Sequence, residues 1–448
     1  MITLNNINLS SIDLSGIDLR GVKLGVGGRG GGSGDGFPQL PGDVTRWHFG
    51  GLTNEMMAAM DDPRIEDADH KGRFLSFKNF AWKEGSGISD IYPGALVFDG
   101  VDDYGACDNF PILTKEKGYT VVALRQWITY NPNAISAIAT NASDQSFNGA
   151  FTFENYNKGA EQTISYGATQ ISLQYSKSPF SWQTTSKYNG FNIANGNKDA
   201  TNSLVLGRSY PQRNEFANFA IWELVFLDHD ATEEELTKIK YYFVKTYPWL
   251  FPDQAWTVVG KTNEDEDRAT IANITGNGND LVCLNLGFIE GSGYNEEGEY
   301  AGYLVTDGVD DKITSSTFEM GNDWTVIGDW ELINTGKNDN AGIVKFDSIV
   351  IYNYNPILIN IKNGRNNLIP DQNTVNAICS DGRIYSKDWK ESIYNEETES
   401  TSKNLLTIGY SGNSYTKIAF KNLAIYPTVL SKEDCIKAYN YLQTLKAK

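Results

Sequence analysis

Ala95-Leu96-Val97-Phe98-Asp99-Gly100-Val101-Asp102-Asp103-Tyr104 decides how this chain is read. Four apolar residues run into an Asp-Gly pair, which is the pattern of a strand entering a tight turn. The motif returns 208 residues later, where Tyr303-Leu304-Val305-Thr306 leads into Asp307-Gly308-Val309-Asp310-Asp311. Moving outward, Trp47 followed by Gly51-Leu52-Thr53-Asn54-Glu55 matches Trp256 followed by Gly260-Lys261-Thr262-Asn263-Glu264, at an offset of 209. Glu84-Gly85-Ser86-Gly87 matches Glu290-Gly291-Ser292-Gly293 at an offset of 206. Tyr119-Thr120-Val121-Val122 pairs with Trp324-Thr325-Val326-Ile327, and Asn218-Phe219-Ala220-Ile221 with Asn422-Leu423-Ala424-Ile425. Matches that keep their order while the offset drifts by a few residues mark an internal duplication. The chain of 448 residues therefore divides into two copies of one unit, residues 43–252 and 253–448, with 42 residues in front.

Each copy has the pattern of short strands. Tyr119–Thr129, Asn202–Gly207 and Glu215–Leu227 in the first copy are rich in β-branched and aromatic residues and bounded by Gly, Asn and Asp. Trp324–Ile333, Ala341–Tyr352, Asn404–Gly409 and Lys417–Tyr426 do the same in the second. Closely spaced strands and turns predict a mainly β chain, each copy of which is a sandwich or a barrel. Each copy is predicted to close with a short helix. Thr232-Glu233-Glu234-Glu235 is a capping box with Leu236, Ile239 and Phe243 at helical spacing behind it, and Ser431-Lys432-Glu433-Asp434 precedes Ile436, Tyr439 and Leu442. Pro248 and Pro252 in Tyr247-Pro248-Trp249-Leu250-Phe251-Pro252 stop the first helix.

Residues 1–24 carry a β-branched-x-Leu unit every five residues: Ile2 and Leu4, Ile7 and Leu9, Ile12 and Leu14, Ile17 and Leu19, Val22 and Leu24. Five units make little more than one coil of a pentapeptide-repeat helix, and repeat units become stable only by stacking on neighbours. The arm is therefore expected to be an anchor that needs a second copy of itself or another protein. The Gly- and Pro-rich stretch 25–42 is expected to be a hinge. A symmetric homo-oligomer follows from the same reasoning.

Lys+Arg number 38 against Asp+Glu 56, a net charge of −18. Residues 1–34 hold Asp13 and Asp18 against Arg20, Lys23 and Arg29, so the acidity belongs to the duplicated body. Such a balance argues against nucleic acid as a partner, since phosphate binding needs a basic surface. No run approaches the roughly 18 apolar residues of a membrane span, and the first residues lack the basic start and apolar centre of a signal peptide. Cys107, Cys283, Cys379 and Cys435 form no CxxC pair, which excludes a disulfide scaffold and a Cys-type zinc site. His48, His70 and His229 fall near no nucleophile motif, and the glycine tract lacks the Lys-Ser/Thr of a phosphate loop.

Two constellations remain. Asp99, Asp102 and Asp103, with Asp307, Asp310 and Asp311, could supply oxygens to Ca²⁺; equally, an Asp-Gly turn uses its later carboxylates to cap backbone N–H groups. Tyr156, Trp182 and Tyr188 in the first copy, and Tyr354, Trp389 and Tyr394 in the second, sit among amides and acids, as rings that stack on sugars do. Each of these rings could equally serve a core or a protein interface. No paired-carboxylate strand of the glycosidase type is found; Glu264-Asp265-Glu266-Asp267 has no counterpart in the first copy.

Ala95–Tyr104 and the late run Phe219–Asp228 leading to Ala231–Leu236 resemble the laminin-G-like branch of the concanavalin A-like lectin/glucanase superfamily, with weaker versions at Tyr303–Asp311 and Asn422–Glu433. The resemblance implies two tandem jelly-roll, concanavalin A-like β-sandwiches, each a two-sheet sandwich with a concave face of a kind often used for glycan or protein binding. It lacks the acidic catalytic run of the glucanases, so no enzymatic activity is expected. The arm, hinge and duplicated units together are similar to fibre or decoration proteins of tailed phages, in particular crAss-like phages of Bacteroidetes. That similarity implies a non-enzymatic virion protein, made in the host cytoplasm, anchored to capsid or tail proteins and touching host-surface glycans. The alternative is a secreted bacterial carbohydrate-binding protein or glycoside hydrolase of the same superfamily.

Overall fold

The computed structural model describes residues 36–113, 119–129, 136–140, 152–155, 174–177, 191–192, 202–208, 215–275, 278–333, 342–346, 349–352, 357–361, 367–369, 375–393, 404–410 and 414–447. The anchor residues of the arm, Ile2 through Leu24, lie outside them.

The chain is mainly β, in antiparallel sheets that pair into sandwiches. Among the described residues, those up to Leu227 supply a six-stranded and a seven-stranded sheet, and those from Gln254 onward supply two eight-stranded sheets. One long strand organises each unit. Asn218–Leu227 lies between Thr120–Thr129 on one side and, end to end on the other, Val44–His48 and Leu96–Asp99. In the second unit Ile418–Tyr426 lies between Thr325–Leu332 and the pair Gln254–Thr257 and Leu304–Val305.

Register makes the duplication explicit and corrects one sequence match. Trp47 lies opposite Leu224 and Trp256 opposite Leu423. Thr120 lies opposite Leu227 and Thr325 opposite Tyr426. The last strand is thus offset by 199, and Asn218–Ile221 corresponds to Lys417–Phe420 rather than to Asn422–Ile425. Both strands are apolar almost throughout, so a short Asn-x-Ala-Ile match slides along them with little penalty.

Alternation then distributes the side chains. Phe219, Ile221, Leu224 and Phe226 point into the first sandwich with Trp47, Leu75, Phe77 and Leu206. Ala220, Trp222, Val225 and Leu227 point the other way, onto the Glu233–Thr246 helix through Leu236, Ile239 and Phe243. The sheet carrying Asn218–Leu227 is buried on both faces, which is why that strand is apolar almost throughout. The second unit repeats the scheme: Ile418, Phe420, Leu423 and Ile425 face its sandwich core, while Ala424 and Tyr426 face the Lys432–Leu442 helix. That helix buries Cys435, Ala438, Tyr441 and Leu442. Ile436 and Tyr439, expected on the buried face, are half-exposed because the helix is rotated by about one residue.

Both helices are capped as expected. Thr232 and Glu235 complete a reciprocal capping box, and Ser431 Oγ accepts from Asp434 N at 3.1 Å. Between the helices runs the Pro248–Leu250 turn. Lys437 Nζ sits 4.5 Å over the Trp249 ring, and Tyr426 Oη donates to the Trp249 carbonyl at 3.0 Å. A single apolar cluster contains residues of both helices and of the sheet beneath each. The layers therefore run sheet, sheet, helices, sheet, sheet. Phe37, in the segment read as hinge, belongs to this cluster, with its ring 5.1 Å from Tyr242 and 4.4 Å from the Arg46 guanidinium carbon. Among the described residues no helix is long and apolar enough to cross a membrane.

Candidate functional site

The two acidic turns are built alike. Asp99 Oδ1 accepts from the backbone N–H groups of Val101, Asp102 and Asp103 at 2.7, 3.2 and 3.4 Å. Asp307 Oδ1 does the same for Val309, Asp310 and Asp311 at 2.7, 3.3 and 3.4 Å. The last acid closes the turn: Asp103 takes hydrogen bonds from Asp99 N and Ser86 Oγ, and Asp311 from Asp307 N and Ser292 Oγ. These serines belong to the repeated Gly-Ser-Gly. The glycine of each turn is required, since its φ is +75° at Gly100 and +78° at Gly308 and an added Cβ would lie 2.7 Å from Asn218 Cβ or 2.9 Å from Lys417 N.

Each trio brings its carboxylate oxygens within 4.8 Å of one another. A Ca²⁺ site needs six to eight oxygens, and here Asp99 or Asp307 turns an oxygen onto three amides. Asp103 uses both of its oxygens, on Ser86 and on Asp99 N, whereas Ser292 and Asp307 N share Asp311 Oδ2 and leave its buried Oδ1 without a hydrogen bond. Three carboxylates already engaged in this way are few oxygens for calcium. Turn capping accounts for the residue types and their spacing. Burial, helped by the charges of Asp99 and Asp102, pushes the Asp103 carboxyl up to about 6, and burial with the charges of Asp307 and Asp310 raises Asp311. A raised folded-state value makes the neutral form the stabilising one. Its contribution is full below the unfolded value of about 3.9 and is lost as pH rises through about 6. Asp103→Asn should therefore flatten the thermal midpoint relative to the parent protein between about pH 4 and 6. A difference between the two midpoints that does not change over that interval would refute this assignment.

A second constellation was not read from the sequence. Arg46, His48, Glu223, Tyr242 and Tyr247 meet between the first sandwich and its helix. Arg46 Nη1 donates to Glu223 Oε1 at 2.7 Å and to Tyr242 Oη at 3.2 Å. Tyr247 Oη donates to Glu223 Oε2 at 2.8 Å, and His48 Nδ1 lies 3.3 Å from the same oxygen. Arg46 and Glu223 are fully buried, and the side chain of His48 is 31% exposed. A bulge aims the acid: the ladder shifts between Ile221 and Glu223, so Trp222 and Glu223 both face the helix. The signal in the sequence is Glu223 itself, a charge inside an apolar run, which demands a buried partner. At the matching positions the second unit has Ala255 and Asn422, with Asn422 Nδ2 donating to the Leu442 carbonyl at 3.4 Å. The charged cluster thus belongs to one copy only.

No family model matches this sequence, and no curated relative does. Among solved structures, Trypanosoma rangeli sialidase in complex with sialic acid is similar at 9% identity and a TM-score of 0.31, over 84% of this chain and 67% of that one. The receptor-binding domain of botulinum neurotoxin type G is similar at 12% identity and a TM-score of 0.27, over 42% of this chain and 50% of that one. The binding domain of Paraclostridial mosquitocidal protein 1 is similar at 13% identity and a TM-score of 0.26, over 42% and 51%. TM-scores of this size do not establish a shared fold.

Of the rings expected to stack on sugars, Trp389 is the one within the described residues. It is half-buried, 6.2 Å from the Tyr385 ring and 5.7 Å from that of Tyr439, and its backbone has φ of +56°. Those neighbours tie it to the Lys432–Leu442 helix. Tyr156, Trp182, Tyr188, Tyr354 and Tyr394 lie outside the described residues.

Proposed function

We propose that this chain is a non-enzymatic structural protein of a virus particle, a head or tail fibre or decoration protein. Residues 1–24 dock on capsid or tail proteins, and the two sandwich units are displayed for contact with host-surface glycans or proteins. One contrast supports the reading. The body turns its long strands and both helices inward onto three cores of its own, including one that both units share. The arm repeats an apolar unit that a single coil leaves without a core, so its natural partner lies outside the chain. Display of two similar units on a multivalent particle would make weak surface contacts effective, since linked sites gain roughly 10²–10⁴ in avidity.

Light scattering of the full chain beside one beginning at Gly36 tests the anchor. Gly36 is preferable to Asp43 as a starting point because Phe37 belongs to the core. The full chain is expected to form a discrete oligomer and the shortened chain a monomer with the same melting midpoint. Two monomers of equal stability would remove the anchor and with it the argument for a particle-bound protein.

A further inference from the structure

His229 lies between the end of the Asn218–Leu227 strand and the capping box of the Glu233–Thr246 helix. Each of its ring nitrogens meets a carboxylate oxygen: Nδ1 is 3.2 Å from Asp228 Oδ1, and Nε2 is 3.0 Å from Glu235 Oε1. An ionised carboxylate only accepts hydrogen bonds, and a neutral imidazole has a single N–H. Only the imidazolium can donate to both acids at once. Both acids hold other groups as well. Asp228 Oδ1 accepts from Asp43 N at 2.9 Å, where the segment read as hinge enters the first strand. Glu235 Oε2 accepts from Thr232 N and Oγ1 at 2.7 and 2.9 Å, which closes the helix cap. Gly42 packs on the pair: a Cβ there would collide with Asp228 Oδ1 and lie 3.0 Å from His229 Nδ1.

The duplication supplies an internal comparison. In both units a threonine frames this corner. Thr120 Oγ1 donates to the His229 carbonyl at 3.0 Å and accepts from Ala231 N at 2.8 Å. Thr325 Oγ1 does the same for the Thr428 carbonyl and Leu430 N, at 2.9 Å each. The corner therefore folds without an imidazole, since Pro427 and Thr428 stand where the first unit has Asp228 and His229. The ionisable pair belongs to the copy that receives the hinge.

We propose that His229 is a pH-sensitive latch, which as an imidazolium ties the entry of the hinge to the helix cap and on deprotonation releases it. The charged groups facing the ring are Glu235 from the helix and Asp228 from its own loop. Asp230 follows in that loop, and Asp43 enters from the hinge side with its carboxylate taken by Lys71 and Arg73. The strand Thr120–Thr129 contributes the uncharged hydroxyl of Thr120. A cation beside a helix N-terminus is disfavoured by the helix dipole, so the two acids must supply its stabilisation. Burial works to lower the His229 value, but the hydrogen bonds and charges of Glu235 and Asp228 outweigh it and raise the value above the usual 6.5. A raised folded-state value makes the charged form the stabilising one. The tie is full below about 6.5 and is lost as pH rises through the higher folded-state value. Deprotonation leaves one N–H for two acids, and the acid that loses its bond faces a ring lone pair.

The test follows the histidine NMR signals of the full chain from about pH 5.5 to about pH 9, assigned with His48→Gln and His70→Gln. His229 should titrate above about 6.5. His229→Gln keeps neutral hydrogen bonds but no titrating charge, and should melt roughly 2–4 °C below the parent at about pH 6. Most of that gap should close by about pH 9. Amide exchange of residues 37–44, compared between parent and variant at equal pH, should be faster in the variant at about pH 6 and alike at about pH 9. A His229 value at or below about 6.5 would overturn the latch, and so would a midpoint gap that does not change with pH. Equal exchange of residues 37–44 at about pH 6 would overturn it too, because the histidine would then serve the helix alone. If His229→Gln does not fold, His229→Thr, which places the second unit's residue at this corner, takes its place in both comparisons.

Discussion

Glu223→Ala is expected to destabilise the protein by about 3–5 kcal/mol, the cost of leaving a buried guanidinium without its counter-charge. Arg46 and Glu223 are both fully buried, and the 2.7 Å contact between them is the shortest bond in the cluster. Removing the carboxylate also strips an acceptor from Tyr247 and Tyr242, both inside the same core. The double replacement Arg46→Met with Glu223→Leu should recover more than half of the loss, because it removes both desolvated charges together. Equilibrium urea unfolding followed by tryptophan fluorescence measures both variants, with an unchanged slope expected since the folded area is the same. A loss below about 1 kcal/mol for Glu223→Ala would mean that water reaches Arg46 and that the cluster is effectively a surface pair.

What the sequence disclosed and what it concealed follow a physical division. Local devices were legible. The Asp-Gly turns, the capping box of Thr232 and Glu235, and the apolar run of Asn218–Leu227 each depend on residues a few positions apart. The duplication was legible because it repeats such devices in order. Quantities set by distant partners were not. The bulge at Trp222 reverses which face Glu223 occupies, and nothing in Phe219–Leu227 announces it. The slide of five residues in the last strand came from runs that are apolar almost throughout, which a shift of any size nearly satisfies; only the pairing with Trp47 and Trp256 fixes the register. The rotation of the Lys432–Leu442 helix is decided by what the sheet offers beneath Cys435 and Ala438. The candidate site divides the same way. The acidic trios were found by sequence and are turn caps, while the charged cluster was missed because Arg46 and Glu223 are 177 residues apart.

The same division governs the junction between the units, where Trp249→Ala should have the second large effect. Pro248 and Pro252 were legible as stops for the first helix; of the three residues between them, Trp249 touches both units. Trp249 is 7% exposed, with its ring 5.6 Å from Tyr247 of the first unit and under the Lys437 ammonium of the second. Its carbonyl accepts from Tyr426, the residue that ends the central strand of the second unit. Truncating a buried tryptophan costs about 3–5 kcal/mol, from lost transfer energy and from the cavity left behind. Here the cavity opens between two units, each with a sandwich core that does not depend on it. Calorimetry should therefore resolve two transitions in Trp249→Ala, where the parent chain, coupled through its common core, is expected to melt in one. Trp249→Phe keeps an aromatic ring near Tyr247 and should retain the single transition at a lower midpoint. A single transition at the parent midpoint in Trp249→Ala would show that the units are coupled by something other than this ring, with the Gln126 to Thr444 contact at 3.5 Å the next place to look.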